Sequence, residues 1–233
     1  MSADLAKINA AAAALDFIKD GMVVGLGTGS TSAHFVRLLG ERVRQGLRVK
    51  AVPTSEATRA LAEQVGVPLI EISRVAQIDV DVDGADEIDP KFRLIKGGGG
   101  ALLREKIVAA ASAHMVVIAD ESKAVDVLGA FALPIEVTRF GFAITAQRVH
   151  EALRKTNCAG DDVVLRTSGK ANEPVITDGG NYILDAHAKA IRSPDSLSDA
   201  LKRIPGVVEH GLFLGLARTV ILGKAKGAEI REA

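Results

Sequence analysis

Met22-Val23-Val24-Gly25-Leu26-Gly27-Thr28-Gly29-Ser30-Thr31 is the stretch whose reading decides the fold. Met22 to Leu26 is a short apolar run of the kind that forms a buried strand. It enters a loop of glycines and hydroxyls, and Phe35, Val36, Leu38 and Leu39 then recur at helical spacing. Upstream, Leu5, Ile8, Ala12, Leu15 and Ile18 predict a helix over residues 4–19, ended by Gly21. Downstream the alternation repeats. Val49 to Val52 reads as a strand, and Thr54 and Ser55 cap a helix from about Glu56 to Val65. Leu69 to Ile72 reads as another strand. Ile78 to Asp83 alternates apolar and acidic residues, which predicts a strand with one wetter face. A helix over 101–112 and a strand from Met115 to Ala119 follow.

Strands alternating with helices are the mark of a parallel sheet covered on both faces, so the fold class is α/β. The pattern changes after about residue 130. Leu133 to Val137 reads as a strand and Ala146 to Leu153 as part of a helix. Three short strands come next, Val163 to Arg166, Pro174 to Thr177 and Tyr182 to Asp185, and then a helix around Leu197 to Ile204. This predicts a smaller α+β domain over 131–205. A Rossmann-like domain takes 1–130 plus 206–233, with the runs Gly206 to Leu214 and Thr219 to Leu222 returning to the first sheet.

With 29 basic and 29 acidic residues the formal charge is zero. That argues against a general binder of nucleic acid or of membrane surfaces, which needs a basic surplus. No apolar run approaches the roughly 20 residues that span a bilayer, and no signal pattern opens the chain. The cytoplasm is the default reading. Cys158 is the only cysteine and reads as an incidental loop thiol. None of the five histidines falls in a metal-ligand spacing, and no serine-histidine-acid arrangement stands out.

Three segments carry chemistry. Gly27-Thr28-Gly29-Ser30-Thr31 joins a strand to a helix, where free amides and hydroxyls can cradle an anion. A tight turn with a Ser/Thr cap explains the same residues equally well. The dinucleotide fingerprint needs a third glycine where Ser32 stands, and the Walker lysine is missing, so a small phosphate ester fits better than a nucleotide. Asp83-Gly84-Ala85-Asp86-Glu87 closes the Ile78 strand, at the sheet edge where ligands of open α/β folds bind. Asp as a turn cap covers one of its acids, but not the row from Asp79 to Asp89.

The third segment is Lys96-Gly97-Gly98-Gly99-Gly100, followed by Arg104-Glu105-Lys106. Four glycines are expensive to order, which points to a backbone that approaches a ligand closely. Glu105, one turn into the next helix, is either a surface glutamate paired to Arg104 or Lys106, or a general base facing the loop. Burial would raise its pKa while Lys96 and the helix N-terminus would lower it. Carboxylates that move protons beside an ammonium that stabilises an anion suit such a cluster.

Taken together these segments resemble ribose-5-phosphate isomerase of the A type. Gly25 to Thr31, Asp83 to Glu87, Lys96 to Gly99 and Arg104 to Lys106 stand in that family's order and spacing. So do Asp120 to Lys123, Asp178 to Asn181 with Ile183 to Asp185, and Ile204 to Val208 with Gly211 to Phe213. Gly100, where many members have alanine, and Pro53-Thr54-Ser55 are minor departures.

The resemblance implies reversible interconversion of D-ribose 5-phosphate and D-ribulose 5-phosphate in the non-oxidative pentose phosphate pathway, with no metal or organic cofactor. It implies that Glu105 moves the C2 proton to C1 through a cis-enediolate. Asp83, supported by Asp86, would open the furanose ring and shuttle hydroxyl protons, and Lys96 with the Gly97, Gly98 and Gly99 amides would stabilise the oxyanion. Thr28, Gly29, Ser30 and Thr31 would hold the phosphate with Lys7 and Lys123 as charge partners, and Gly84 and Ala85 would line the sugar. Family members assemble as homodimers or homotetramers.

Two rivals share the superfamily. Sugar-phosphate sensor domains of transcriptional regulators carry a basic helix-turn-helix before the sensor, for which the first helix leaves no room, and they would give Glu105 and Lys96 no task. An amino-sugar phosphate deaminase would centre on histidine, and a coenzyme A transferase would attack with a glutamate. The Asp-Gly-Ala-Asp and lysine-polyglycine pair argues against both.

Overall fold

The computed structural model describes residues 2–169 and 172–233. The chain forms two compact units. One takes the chain up to Ala85, Arg104–Ala124 and Gly215–Ala233; the other takes Asp86–Leu103 and Val125–Leu214. The units thus divide the chain at other points than periodicity predicts, because Asp86–Leu103 and residues 206–214 hydrogen-bond into the second.

The first unit is built on a six-stranded sheet in the order Ala228–Glu232, Ala217–Gly223, Ser112–Asp120, Ile78–Asp83, Val23–Leu26 and Lys50–Pro53. All neighbours run parallel except the terminal hairpin of Ala217–Gly223 with Ala228–Glu232. Val24, Leu26, Val80, Val82, Val116 and Ile118 are buried with Phe35, Val36 and Leu39 of the Ser30–Arg44 helix. Each such large side chain contributes about 1.5–3 kcal/mol on burial. Ala10, Ala11 and Ala14 let the Ser2–Ala14 helix lie close on this face, so close that a Cβ on Gly223 would stand 1.8 Å from the Ala6 carbonyl oxygen.

Local signals explain the Glu56–Val65 helix. Ser55 accepts from the Thr58 amide at 3.1 Å, and Gly66, at φ +78°, closes the end by donating to the Ala62 carbonyl. The expected strand at Leu69 to Ile72 is not formed. Leu69 makes a lone bridge to Ala51, and Ile72–Arg74 is a single 3-10 turn. The wetter face expected of Ile78–Asp83 is absent too: only Asp79 is exposed, because the parallel sheet is covered on both sides.

In the second unit Val207–His210, Leu133–Val137, Tyr182–His187 and Asp162–Leu165 form an antiparallel sheet in that order. Helices Phe142–Lys155 and Pro194–Lys202 bury Val149, Leu153, Leu197 and Leu201 with Ile135, Val137 and Leu184 in one core. The expectation that Gly206 to Leu214 rejoins the first sheet is corrected. Val207–His210 pairs with Leu133–Val137, and Leu212–Phe213 pairs with Leu94–Ile95. A short apolar run carries no information about its partner. The turn Asp178-Gly179-Gly180-Asn181 is tied to buried Glu136, which accepts from Thr177 Oγ1 at 2.8 Å and Asn181 Nδ2 at 2.9 Å.

Candidate active site

In the parallel sheet the chain order reverses between Val23–Leu26 and Ile78–Asp83, which makes the carboxyl ends of these two strands the topological switch point. There the Gly27 loop and Asp83 form one piece. Gly27 N–H donates to the Val82 carbonyl at 3.0 Å. Asp83 Oδ1 accepts from the amides of Thr28 (3.1 Å) and Gly84 (2.6 Å) and from Ser32 Oγ (3.3 Å). A Cβ on Gly27 would lie 2.0 Å from that same oxygen, so only glycine admits the carboxylate. One turn deeper the motif repeats: Gly25 stands opposite Asp81 in register, and a Cβ on it would lie 2.6 Å from Asp81 Oδ1. Asp81 and Asp83 are both fully buried.

Gly29, at φ +118°, opens the Ser30–Arg44 helix with no side-chain cap. The Ser/Thr cap is therefore not what forms, and the Gly29 N-cap brings no side-chain acceptor to the first-turn amides. Lys7 Nζ donates to Ser30 Oγ at 3.1 Å, bringing a cation to this helix mouth. Thr28 Oγ1 joins a hydroxyl cluster with Thr54 (2.8 Å), Ser55 (2.9 Å) and Thr58 (3.2 Å). Thr31 is buried in the first helical turn. Lys123 ends the Glu121–Lys123 turn, which Asp120 caps through the Ser122 amide at 3.2 Å.

Glu105 lies in the first turn of the Leu102–Ala110 helix and is 3% exposed, which removes the reading as a surface glutamate. Arg104 reaches Glu56 Oε1 at 2.7 Å, and this guanidinium holds the Glu56 carboxyl below the usual range.

The second unit carries Asp86, Lys96 and the glycine run. Asp86 Oδ2 accepts from the Gly98 amide at 2.8 Å, and a Cβ on Gly98 would lie 2.6 Å from Asp86 Oδ1. Gly97 and Gly100 have φ of +102° and +82°. Gly97 and Gly100 thus meet demands of backbone conformation and Gly98 makes room for the Asp86 carboxylate, while Gly98 and Gly99 are exposed. Lys96 is 2% exposed, with its amide on the Gly211 carbonyl at 2.9 Å and Nζ 5.4 Å from the centre of the Phe213 ring.

The row of acids sorts into distinct tasks. Asp79 accepts from the Val23 amide at 2.7 Å. Glu87 accepts from the amides of Gly129 (2.6 Å) and Phe131 (2.5 Å), and Asp89 from those of Lys91 and Arg93 and from the Arg93 guanidinium. These three hold loops and strands. Among the described residues no three His, Cys, Asp or Glu side chains gather as a metal site, and no helix is long and apolar enough to cross a membrane. Burial pushes the Cys158 thiol up.

A family model for ribose 5-phosphate isomerase A (phosphoriboisomerase A) matches residues 50–227. The chain belongs to the ribose 5-phosphate isomerase A family. Ribose-5-phosphate isomerase A of Maricaulis maris is 55% identical over 232 residues, covering 100% of both chains. That of Nitrobacter hamburgensis is 56% identical over 232 residues, covering 100% of this chain and 99% of its own. Among solved structures, a D-ribose-5-phosphate isomerase in complex with phospho-erythronic acid superposes with TM-score 0.91 at 41% identity, 100% of each chain covered. Ribose 5-phosphate isomerase A of Methanocaldococcus jannaschii does so with TM-score 0.90 at 38% identity, 98% of each covered.

Sequence reasoning missed several groups around the predicted residues. Thr58 lies inside the helix expected from about Glu56 to Val65, where spacing gives it no task, yet its hydroxyl donates to the Gly27 carbonyl at 3.0 Å. Asp81 falls on the face expected to be wetter, yet it is fully buried. The glycine inside the Val23–Leu26 strand was the available signal, since a strand glycine marks close approach. Arg166 and Asp185 were given no task, and both bear on the glycine loop.

Proposed function

We propose that the chain interconverts D-ribose 5-phosphate and D-ribulose 5-phosphate. The observation that carries this reading is the union of Asp83 with the Gly27–Ser32 loop: a proton-carrying carboxylate is fixed by the same backbone that opens an uncapped helix N-terminus. A phosphorylated sugar has the two ends such a piece suits, a dianion for the helix mouth and hydroxyls for the acid. Full-length relatives that bear the isomerase name support it.

In this reading the phosphate lies on the amides and hydroxyls of Thr28, Gly29, Ser30 and Thr31, with Lys7 and Lys123 as cations. Asp83, supported by Asp86, takes the anomeric hydroxyl proton and returns it to the ring oxygen, which opens the furanose. Glu105 then removes the proton from C2. The electron pair forms the C1–C2 double bond of a cis-enediolate, whose oxyanion is stabilised by Lys96 and the Gly97 and Gly99 amides; the Gly98 amide, expected to join them, is taken by Asp86. Return of the proton to C1 from Glu105, with proton transfer between the two oxygens, gives the ketose. Its burial suits Glu105 to a protected proton relay, and the burial of Lys96 makes its charge effective. Gly84 and Ala85 line the sugar. Cytoplasmic action and assembly as homodimers or homotetramers belong to the same reading and rest on the family resemblance.

The test is isomerisation in D2O followed by proton NMR. Ribulose 5-phosphate forming with deuterium at C1 supports the enediolate. Formation without any deuterium at C1, over many turnovers, would support a direct hydride shift or a fully shielded proton. Binding of the sugar phosphate without conversion would favour a sensor.

A further inference from the structure

Arg166 follows the Asp162–Leu165 strand, and Asp185 lies on its neighbour Tyr182–His187. Arg166 N–H donates to the Ile183 carbonyl at 2.8 Å, which puts Arg166 and Asp185 diagonally across one face of the sheet. Their ion pair is two-pronged: Nε to Oδ2 at 2.8 Å and Nη2 to Oδ1 at 2.5 Å, with side chains 15% and 21% exposed. A fork held at both prongs points its remaining nitrogen in one direction. That nitrogen, Nη1, reaches the carbonyl oxygens of Gly97 at 2.9 Å and Gly98 at 3.2 Å.

Two successive peptide planes of a glycine run are thus held by one guanidinium. Both bonds are trans, so in each plane the N–H points opposite to the carbonyl. The plane whose carbonyl is Gly97 sends its Gly98 N–H to Asp86, and the Asp86 bond at 2.8 Å agrees. The plane whose carbonyl is Gly98 sends the Gly99 N–H away from Arg166. Glycine supplies no stiffness of its own, so each plane depends on the bonds that hold it: Asp86 and the Gly100 amide, 3.0 Å from the Gly97 carbonyl, share the first with Arg166, and Arg166 holds the second at the Gly98 carbonyl.

We propose that Arg166, locked by Asp185, is the positioning residue that sets the Gly98 and Gly99 peptide planes, and so aims the glycine-loop amide that stabilises the developing oxyanion. Arg166 touches no reacting atom. It acts through the loop, and the inference rests on the isomerase reading above. Aiming matters in the transition state more than in substrate binding, so its loss lowers kcat and leaves KM nearly unchanged.

The experiment compares wild type with Arg166→Lys, Arg166→Gln and Asp185→Asn. Amide exchange by mass spectrometry over residues 97–100 is the first readout, independent of any activity. It is expected to rise at least about tenfold in Arg166→Gln, with the core strands unchanged. Steady-state kinetics with ribose 5-phosphate is the second. Arg166→Gln is expected to lose about a hundredfold in kcat, the scale of a displacement of about 1 Å, with KM within about threefold. Arg166→Lys cannot fork and is expected to recover only part of that loss. Unchanged exchange in the loop, or a kcat within about threefold of wild type, overturns the proposal. So does an equal loss in all three variants that follows global unfolding. An inactive wild type whose loop exchange still responds to Arg166→Gln sinks the isomerase reading while leaving the clamp standing.

Discussion

Gly27 and Asp83 occupy each other's space: a Cβ on Gly27 would stand 2.0 Å from Asp83 Oδ1 and 2.6 Å from the Asp83 Cα. The first atom belongs to a side chain and can turn aside, but the second is backbone and cannot. Glycine at 27 is therefore a condition of the register between the two strand ends that carry the site.

Gly27→Ala is expected to unfold at lower urea, by about 1–3 kcal/mol as for other overpacked positions, and to lose turnover because Asp83 is displaced. Urea unfolding followed by circular dichroism, with activity on the same samples, checks it. A variant with the midpoint and turnover of wild type would mean that the strand ends yield.

Lys7 places its ammonium on Ser30 at the mouth of the uncapped helix. Lys7→Ala is expected to raise KM for ribose 5-phosphate by about 10–100-fold with kcat little changed, since a charge-assisted hydrogen bond contributes roughly 1.5–3 kcal/mol. Initial rates over a range of substrate give both constants. A fall in kcat alone would assign Lys7 to the reaction rather than to the phosphate.

The closing hairpin offers a pH test. Hydrogen bonds from Arg231 and Lys224 hold the Glu229 carboxyl down to about 2, from an ordinary 4.5. A folded-state pKa below the unfolded one stabilises the fold fully above about pH 4.5, and the contribution disappears as pH falls towards 2. Wild type is expected to melt above Glu229→Gln at pH 6 in low salt, with the gap closing by pH 2 and shrinking in high salt. Calorimetry at the two pH values measures it, and a gap that widens in acid would contradict the sign.

Much of the fold is legible locally. Ile78–Asp83, Leu133–Val137 and Glu56–Val65 fall where periodicity and caps place them, because each is decided by its own residues. Leu69–Ile72 failed because an apolar run does not say whether a partner strand extends beside it. Val207–His210 failed for the related reason that a run does not name its sheet. The same limit governs the site. The Gly27 loop and Asp83 were each visible as motifs, but the bond from Thr28 to Asp83 spans 55 residues. Arg166 and the Gly97 carbonyl are 69 apart, and no spacing rule connects an arginine on one strand to a backbone oxygen so remote. Glu87 and Asp89 stand in a row of acids that turn capping does not explain, and only their amide partners reveal them as fasteners.

The most direct test of the account is turnover of ribose 5-phosphate by Glu105→Gln beside wild type. The account predicts wild-type isomerisation and a loss of about 10²–10⁴ in kcat for the variant, with an unchanged melting temperature and retained substrate binding. A Glu105→Gln enzyme that turns over within about threefold of wild type would contradict it, and would remove this buried carboxylate from the proton transfer.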